Sequence, residues 1–156
     1  MALYTIGDLH LALSVPDKPM DIFGGWDDYM NKIKANWNSI VKDEDVVVVP
    51  GDISWALKLN EVYEDFKYIS ELKGQKIILK GNHDYWWSTK AKMEKFIAEN
   101  GFDSIHILFN NHYDYGEEYG ICGTRGWVQM AGEKHDDKIQ AREAGRLELS
   151  IKSALD

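Results

Sequence analysis

The chain has 156 residues, 44% of them hydrophobic, 28% charged and 12% aromatic, which suits one domain with a single core and excludes a disordered chain. A net charge of -8 excludes broad attraction to nucleic acid or anionic membrane, because such binding needs clustered Lys and Arg. Cys122 is the single cysteine, so no intrachain disulfide forms, and an N-terminus without a basic segment or long apolar run is neither signal peptide nor membrane span, which makes the cytoplasm the expected location.

Leu3 to Ile6 reads as a short buried strand broken at Gly7. The loop from Leu11 to Gly25, with two prolines and two glycines, is the longest irregular stretch and is placed to rim a site. Trp26, Met30, Ile33, Trp37 and Ile40 step by three and four, as one face of a helix does. Val46 to Val49 is the clearest buried strand. Val62, Phe66, Ile69 and Leu72 mark a second helix that Gly74 stops, and Lys76 to Lys80 is the third strand. A helix from about Ser88 to Asn100 ends at Gly101, and Ile105 to Phe109 resumes the strand pattern. Turns at Asn110-Asn111 and Gly116 lead to a strand at Tyr119 to Cys122. A last helix runs from about Asp136 to Leu155, with Leu147, Ile151, Ala154 and Leu155 on one face.

Strand and helix alternate, which predicts an α/β fold with a parallel sheet and right-handed crossovers. The C-terminal ends of the strands then share one edge, where open parallel sheets bind ligands. Three strands end in a glycine followed by metal-capable side chains: Gly7-Asp8-Leu9-His10, Gly51-Asp52 and Gly81-Asn82-His83-Asp84. In extended backbone, Asp8 and His10 point the same way and can chelate one ion. A donor set of carboxylate, amide oxygen and imidazole without thiolate suits manganese, iron or zinc. Asp52 has two oxygens and can bridge two ions about 3.5 to 4 Å apart, the arrangement that activates a hydroxide for in-line attack on a phosphate ester. Singly, an Asp-x-His or Gly-Asp is more often a turn or a surface residue. In order, at three strand ends, the motifs favour chemistry.

These three elements resemble the first motifs of the calcineurin-like metallophosphoesterases, over Met1 to about Trp127, with Gly81-Asn82-His83-Asp84 the most specific. The resemblance implies an αββα sandwich of two mixed sheets flanked by helices, and cleavage of phosphomonoesters, phosphodiesters or pyrophosphates. It implies that Asp8 and His10 bind a first divalent ion, that Asp52 bridges to a second, and that Asn82 binds the second. It also implies that His83, oriented by Asp84, contacts the phosphate or protonates the leaving oxygen.

Two departures from the family pattern stand out. The family often carries a second acid and an arginine shortly after Gly-Asp, where this chain reads Ile53-Ser54-Trp55-Ala56. The later isolated histidine and the Gly-His-x-His element are not recognisable, and His106 in a strand, His112 in a turn and His135 among charges lack that context. The expectation is therefore a domain of residues 1–156 without its C-terminal strands, with uncovered surface that favours self-association. Trp55, Trp86, Trp87 and Trp127 invite a substrate-stacking reading, with core packing as the alternative. Arg125, in Gly123-Thr124-Arg125-Gly126, is a candidate donor to a phosphate, or else a solvated arginine. The competing function from another class is a non-catalytic metal-binding or interaction module that keeps half of the site.

Overall fold

A computed structural model describes residues 1–18, 20–126 and 137–155. The chain separates into two compact units, Met1–Ile107 and Leu108–Asp156. The fold is mixed α/β, with a four-stranded parallel sheet flanked by helices, consistent with the fold that the sequence resemblance implies.

In the first unit, β1 (Leu3–Thr5), β2 (Val46–Val49), β3 (Gln75–Ile78) and β4 (Ile105–Ile107) lie side by side in chain order. Leu3 pairs with Val46, Val46 with Gln75 and Lys76 with Ile105. The crossovers contain α1 (Tyr29–Ile40), α2 (Tyr63–Ser70) and α3 (Lys90–Glu99). Val47 and Val49 are fully buried, as central-strand residues should be. β1 departs from expectation: it is an edge strand, and Leu3 is 45% exposed. A short apolar run predicts a strand but carries no information about its place in the sheet.

The α2 stripe is realised in full, with Val62, Phe66, Ile69 and Leu72 all buried. Phe66 meets the ring of Trp86 edge-on at 5.2 Å and also touches Phe96 and Phe102, an aromatic cluster against the sheet's last crossover. The α1 stripe is realised only in part. Asp28 takes a left-handed φ of 54° just before the helix, so Trp26 falls outside it, and Ile40 at the last turn is exposed. Trp37 is buried and its indole N–H donates to the Lys73 carbonyl at 2.9 Å.

The second unit is a hairpin of β5 (His112–Tyr115) and β6 (Tyr119–Cys122) with α4 (Asp137–Leu155) packed on both strands. His112 opens a strand where a turn was expected, and its Nδ1 meets the Ser153 hydroxyl at 3.0 Å. The helix face at the hairpin is polar, contrary to the apolar stripe expected. Glu143 and Ser150 are buried, while Leu147, Ile151 and Leu155 are exposed. Hydrogen bonding explains this: the Ser150 hydroxyl donates to the Asn111 carbonyl and accepts from the Gly123 N–H, and Glu143 accepts from Thr124. No helix among the described residues is long and apolar enough to cross a membrane.

Candidate metal centre

The group of Asp8, His10 and Asp52 is assembled from the loops that follow β1 and β2, and the loop after β3 is bonded to Asp52. The first is tied to the second by backbone hydrogen bonds, Asp8 N–H to Gly51, His10 N–H to Asp52 and Leu11 N–H to Ile53, at 3.2, 2.9 and 2.9 Å. Extended backbone is not what turns Asp8 and His10 to one side. Both adopt left-handed φ, 55° and 44°, and Asp52 does the same at 52°. Non-glycine residues rarely hold that conformation unless the surroundings impose it. Here it lets Leu9 bury its side chain while its two neighbours face the site.

Glycine sets the spacing between the second and third loops. A Cβ on Gly81 would stand 2.1 Å from the Asp52 nitrogen and from its Oδ1, and a Cβ on Gly51 would stand 2.4 Å from the Gly81 Cα. No side chain fits, so the two backbones meet directly. The His83 N–H then donates to Asp52 Oδ1 at 2.9 Å.

One ligand atom from each of Asp8, His10 and Asp52 lies within 4.8 Å of the others. Nε2 of His10 faces Asp8 Oδ1 at 3.7 Å and Asp52 Oδ2 at 3.8 Å. Two ligands on one ion, each at about 2.1 Å, are at most about 4.2 Å apart. The group therefore fits a divalent ion after an adjustment of tenths of an ångström. Asp8 is exposed and Asp52 buried, so the pocket has a wet side and a dry side. Asn82, next in the third loop, is exposed; His83 is half-buried with its ring centroid 5.7 Å from that of His10.

Among the described residues, Asp84 bonds main-chain groups and an indole and not the His83 ring. Its buried carboxylate accepts the backbone N–H groups of Gly81 (2.7 Å), Asp52 (2.9 Å), Ile53 (2.8 Å) and Ser54 (3.3 Å), and the indole N–H of Trp86 (3.0 Å). Burial pushes its pKa up, while these donors pull it down. The physical role is to pin the second loop against the third. Trp86 belongs to the core, 2% exposed, and is not available for stacking a substrate.

Asp65 and Tyr29 were missed in the sequence, and Trp55 was weighed there only as a substrate-stacking or core residue. Asp65 is buried, accepts from the Ser54 hydroxyl and from the Leu13 N–H at 2.9 Å, and so supports both loops from α2. Its signal was a carboxylate beside Phe66 on a helix with a buried stripe. Tyr29 donates its hydroxyl to the His10 carbonyl at 3.0 Å. Trp55 stacks on His10, with centroids 4.9 Å apart and planes 20° from parallel.

Neither His106 nor His112 is part of the Asp8, His10 and Asp52 group. His106 bonds Gln75 at 2.7 Å on β4, His112 belongs to the second unit, and His135, like Trp127, lies outside the described residues. Arg125 follows β6 in the second unit and is half-buried.

Comparisons with known proteins agree with this picture. The model of a family described as calcineurin-like phosphoesterase matches residues 1–149. An uncharacterized protein of Methanocaldococcus jannaschii is 31% identical over 84 residues, which make up 51% of this chain and 47% of that protein. The chain thus spans about half the length of this curated relative. A crystal structure of a protein of unknown function from Aquifex aeolicus aligns with a TM-score of 0.52 and 22% identity, covering 92% of this chain and 71% of that one, a likeness of fold.

Proposed function

The chain belongs to the calcineurin-like phosphoesterase family, and on that premise we propose that it hydrolyses a phosphomonoester or phosphodiester with the help of two divalent ions. Metal-dependent phosphoester hydrolysis is the chemistry of the family in general. The observation that carries the proposal to this chain is the convergence of Asp8, His10 and Asp52 within 4.8 Å.

In this reading Asp8, His10 and Asp52 hold the first ion, and Asp52 and Asn82 hold the second. Divalent ions held by these residues would supply Lewis-acid chemistry, acidifying water and offsetting phosphoryl charge. Manganese, iron and zinc suit the donors. Asp52 is suited to bridging because the His83 N–H fixes one carboxylate oxygen while the other faces His10. His83, at the rim and beside His10, contacts the phosphate or gives a proton to the leaving oxygen. Asp84 keeps the loops at their working distance. The net charge of -8 disfavours long nucleic acids as substrates, and a lone cysteine suits a cytoplasmic setting.

The test is turnover of p-nitrophenyl phosphate and of bis-p-nitrophenyl phosphate by metal-free protein and by protein supplied with Mn²⁺. Activity that requires Mn²⁺ supports the proposal, and the faster substrate gives the ester class. Bound Mn²⁺ without turnover of either ester would instead support a non-catalytic metal-binding module.

A further inference from the structure

We propose that Trp55 is a positioning residue that orients His10, and with it His83, by ring stacking in place of a hydrogen-bonded acceptor. This rests on the reading of Asp8, His10 and Asp52 as a metal site.

Nε2 of His10 is the nitrogen that faces the two carboxylates, so Nδ1 carries the proton when Nε2 binds an ion. A metal-binding imidazole ordinarily donates that second N–H to a carboxylate or carbonyl, which fixes the ring plane. Here Nδ1 is buried and has no hydrogen-bond partner among the described residues. Something else must hold the ring. The indole of Trp55 lies nearly parallel to it at 4.9 Å, and Trp26 meets it edge-on at 6.1 Å. The same indole touches His83 at 4.9 Å and 51°, so one side chain contacts both histidines of the site.

Trp55 is itself held. Its backbone N–H donates to the Leu11 carbonyl at 3.0 Å, and Ser54 beside it forms a bridge with Leu11. The platform is therefore built on the loop that carries His10. Lys18 adds a cation 5.7 Å from the ring centroid. The indole N–H of Trp55 is buried without a partner among the described residues, so the ring faces make its described contacts. Trp55 lies in the stretch Ile53-Ser54-Trp55-Ala56 directly after Gly51-Asp52.

Calorimetric titration of metal-free protein with Mn²⁺ tests this on wild type, Trp55→Phe and Trp55→Leu, each checked for folding by its melting curve. Loss of an orienting partner typically weakens metal affinity about 10- to 100-fold. Trp55→Leu, which fills space without a π face, should show a loss of that order, and Trp55→Phe should stay within about threefold because its ring still stacks. Equal affinity of Trp55→Leu and wild type would overturn the inference, and so would a Trp55→Phe as weak as Trp55→Leu. If Trp55→Leu does not fold, Trp55→Ile puts the same question. A wild-type protein that binds no Mn²⁺ would instead overturn the metal-site reading beneath it.

Discussion

The buried carboxylate of Asp84 accepts the backbone N–H of Asp52 at 2.9 Å, joining the loop after β3 to the loop after β2. Three further backbone donors and one indole complete its contacts. Asp84→Asn turns one acceptor oxygen into an amide that faces N–H groups. The metal-free variant should lose about 1–3 kcal/mol of stability, read by urea unfolding, before any effect on chemistry is considered. Unchanged stability with reduced turnover would return Asp84 to a direct catalytic role.

Gly81→Ala places a methyl group 2.1 Å from the Asp52 nitrogen and Oδ1. The backbone must shift and carry the carboxylate with it. Mn²⁺ affinity should fall sharply and stability by about 1–3 kcal/mol, measured by calorimetry and by urea unfolding. Wild-type affinity in this variant would mean that the contact between the second and third loops does not set the site.

Much of this was legible in the sequence because it depends on local rules. Alternation of strands and helices pointed to a parallel sheet, and glycine followed by Asp at the ends of β1 and β2 marked where Asp8, His10 and Asp52 come together. What was not legible depends on tertiary contacts. The left-handed φ of Asp8 and His10 is imposed by backbone bonds to Gly51 and Asp52, more than 40 residues away. The donors to Asp84 are mostly main-chain N–H groups, which no residue pattern reveals. Strand β5, reading His112-Tyr113-Asp114-Tyr115, lacks the apolar alternation that signals a strand and forms by pairing with β6. In α4 the buried positions are a serine and a glutamate, so hydropathy pointed to the wrong face.

His83→Ala should leave bound metal nearly unchanged and reduce turnover about 10²- to 10⁴-fold, the usual share of general acid assistance. The loss should shrink for p-nitrophenyl phosphate, whose leaving group needs little protonation. The main-chain N–H of His83, which bonds Asp52, survives the substitution. Collapse of metal content would make the His83 side chain a ligand.

Lys76 is fully buried on β3 and donates to the carbonyls of Leu72 and of Gly74 (2.8 Å) at the end of the α2 turn. Burial lowers its pKa from 10.5 to about 8. Between those values the unfolded chain binds more protons than the folded one, so this residue's contribution to stability rises with pH from about 8 to about 10.5. Lys76→Met should be less stable by about 1–3 kcal/mol, since two carbonyls lose their donor. Urea unfolding at pH 7.5, 9 and 10 should show the wild type gaining on Lys76→Met as pH rises; a constant or shrinking difference would contradict the assignment.

The central claim is that Asp52 joins the ligands of β1 to those after β3 in one metal centre, with Oδ2 3.8 Å from His10 Nε2 and Oδ1 bonded to the His83 N–H. Its most direct test is the Mn²⁺ content of wild type, Asp8→Ala and Asp52→Ala after equilibrium dialysis, with folding confirmed for each. The account predicts that Asp52→Ala loses more metal than any other single substitution and that Asp8→Ala weakens mainly the first site. A folded Asp52→Ala that keeps the wild-type metal content would contradict it.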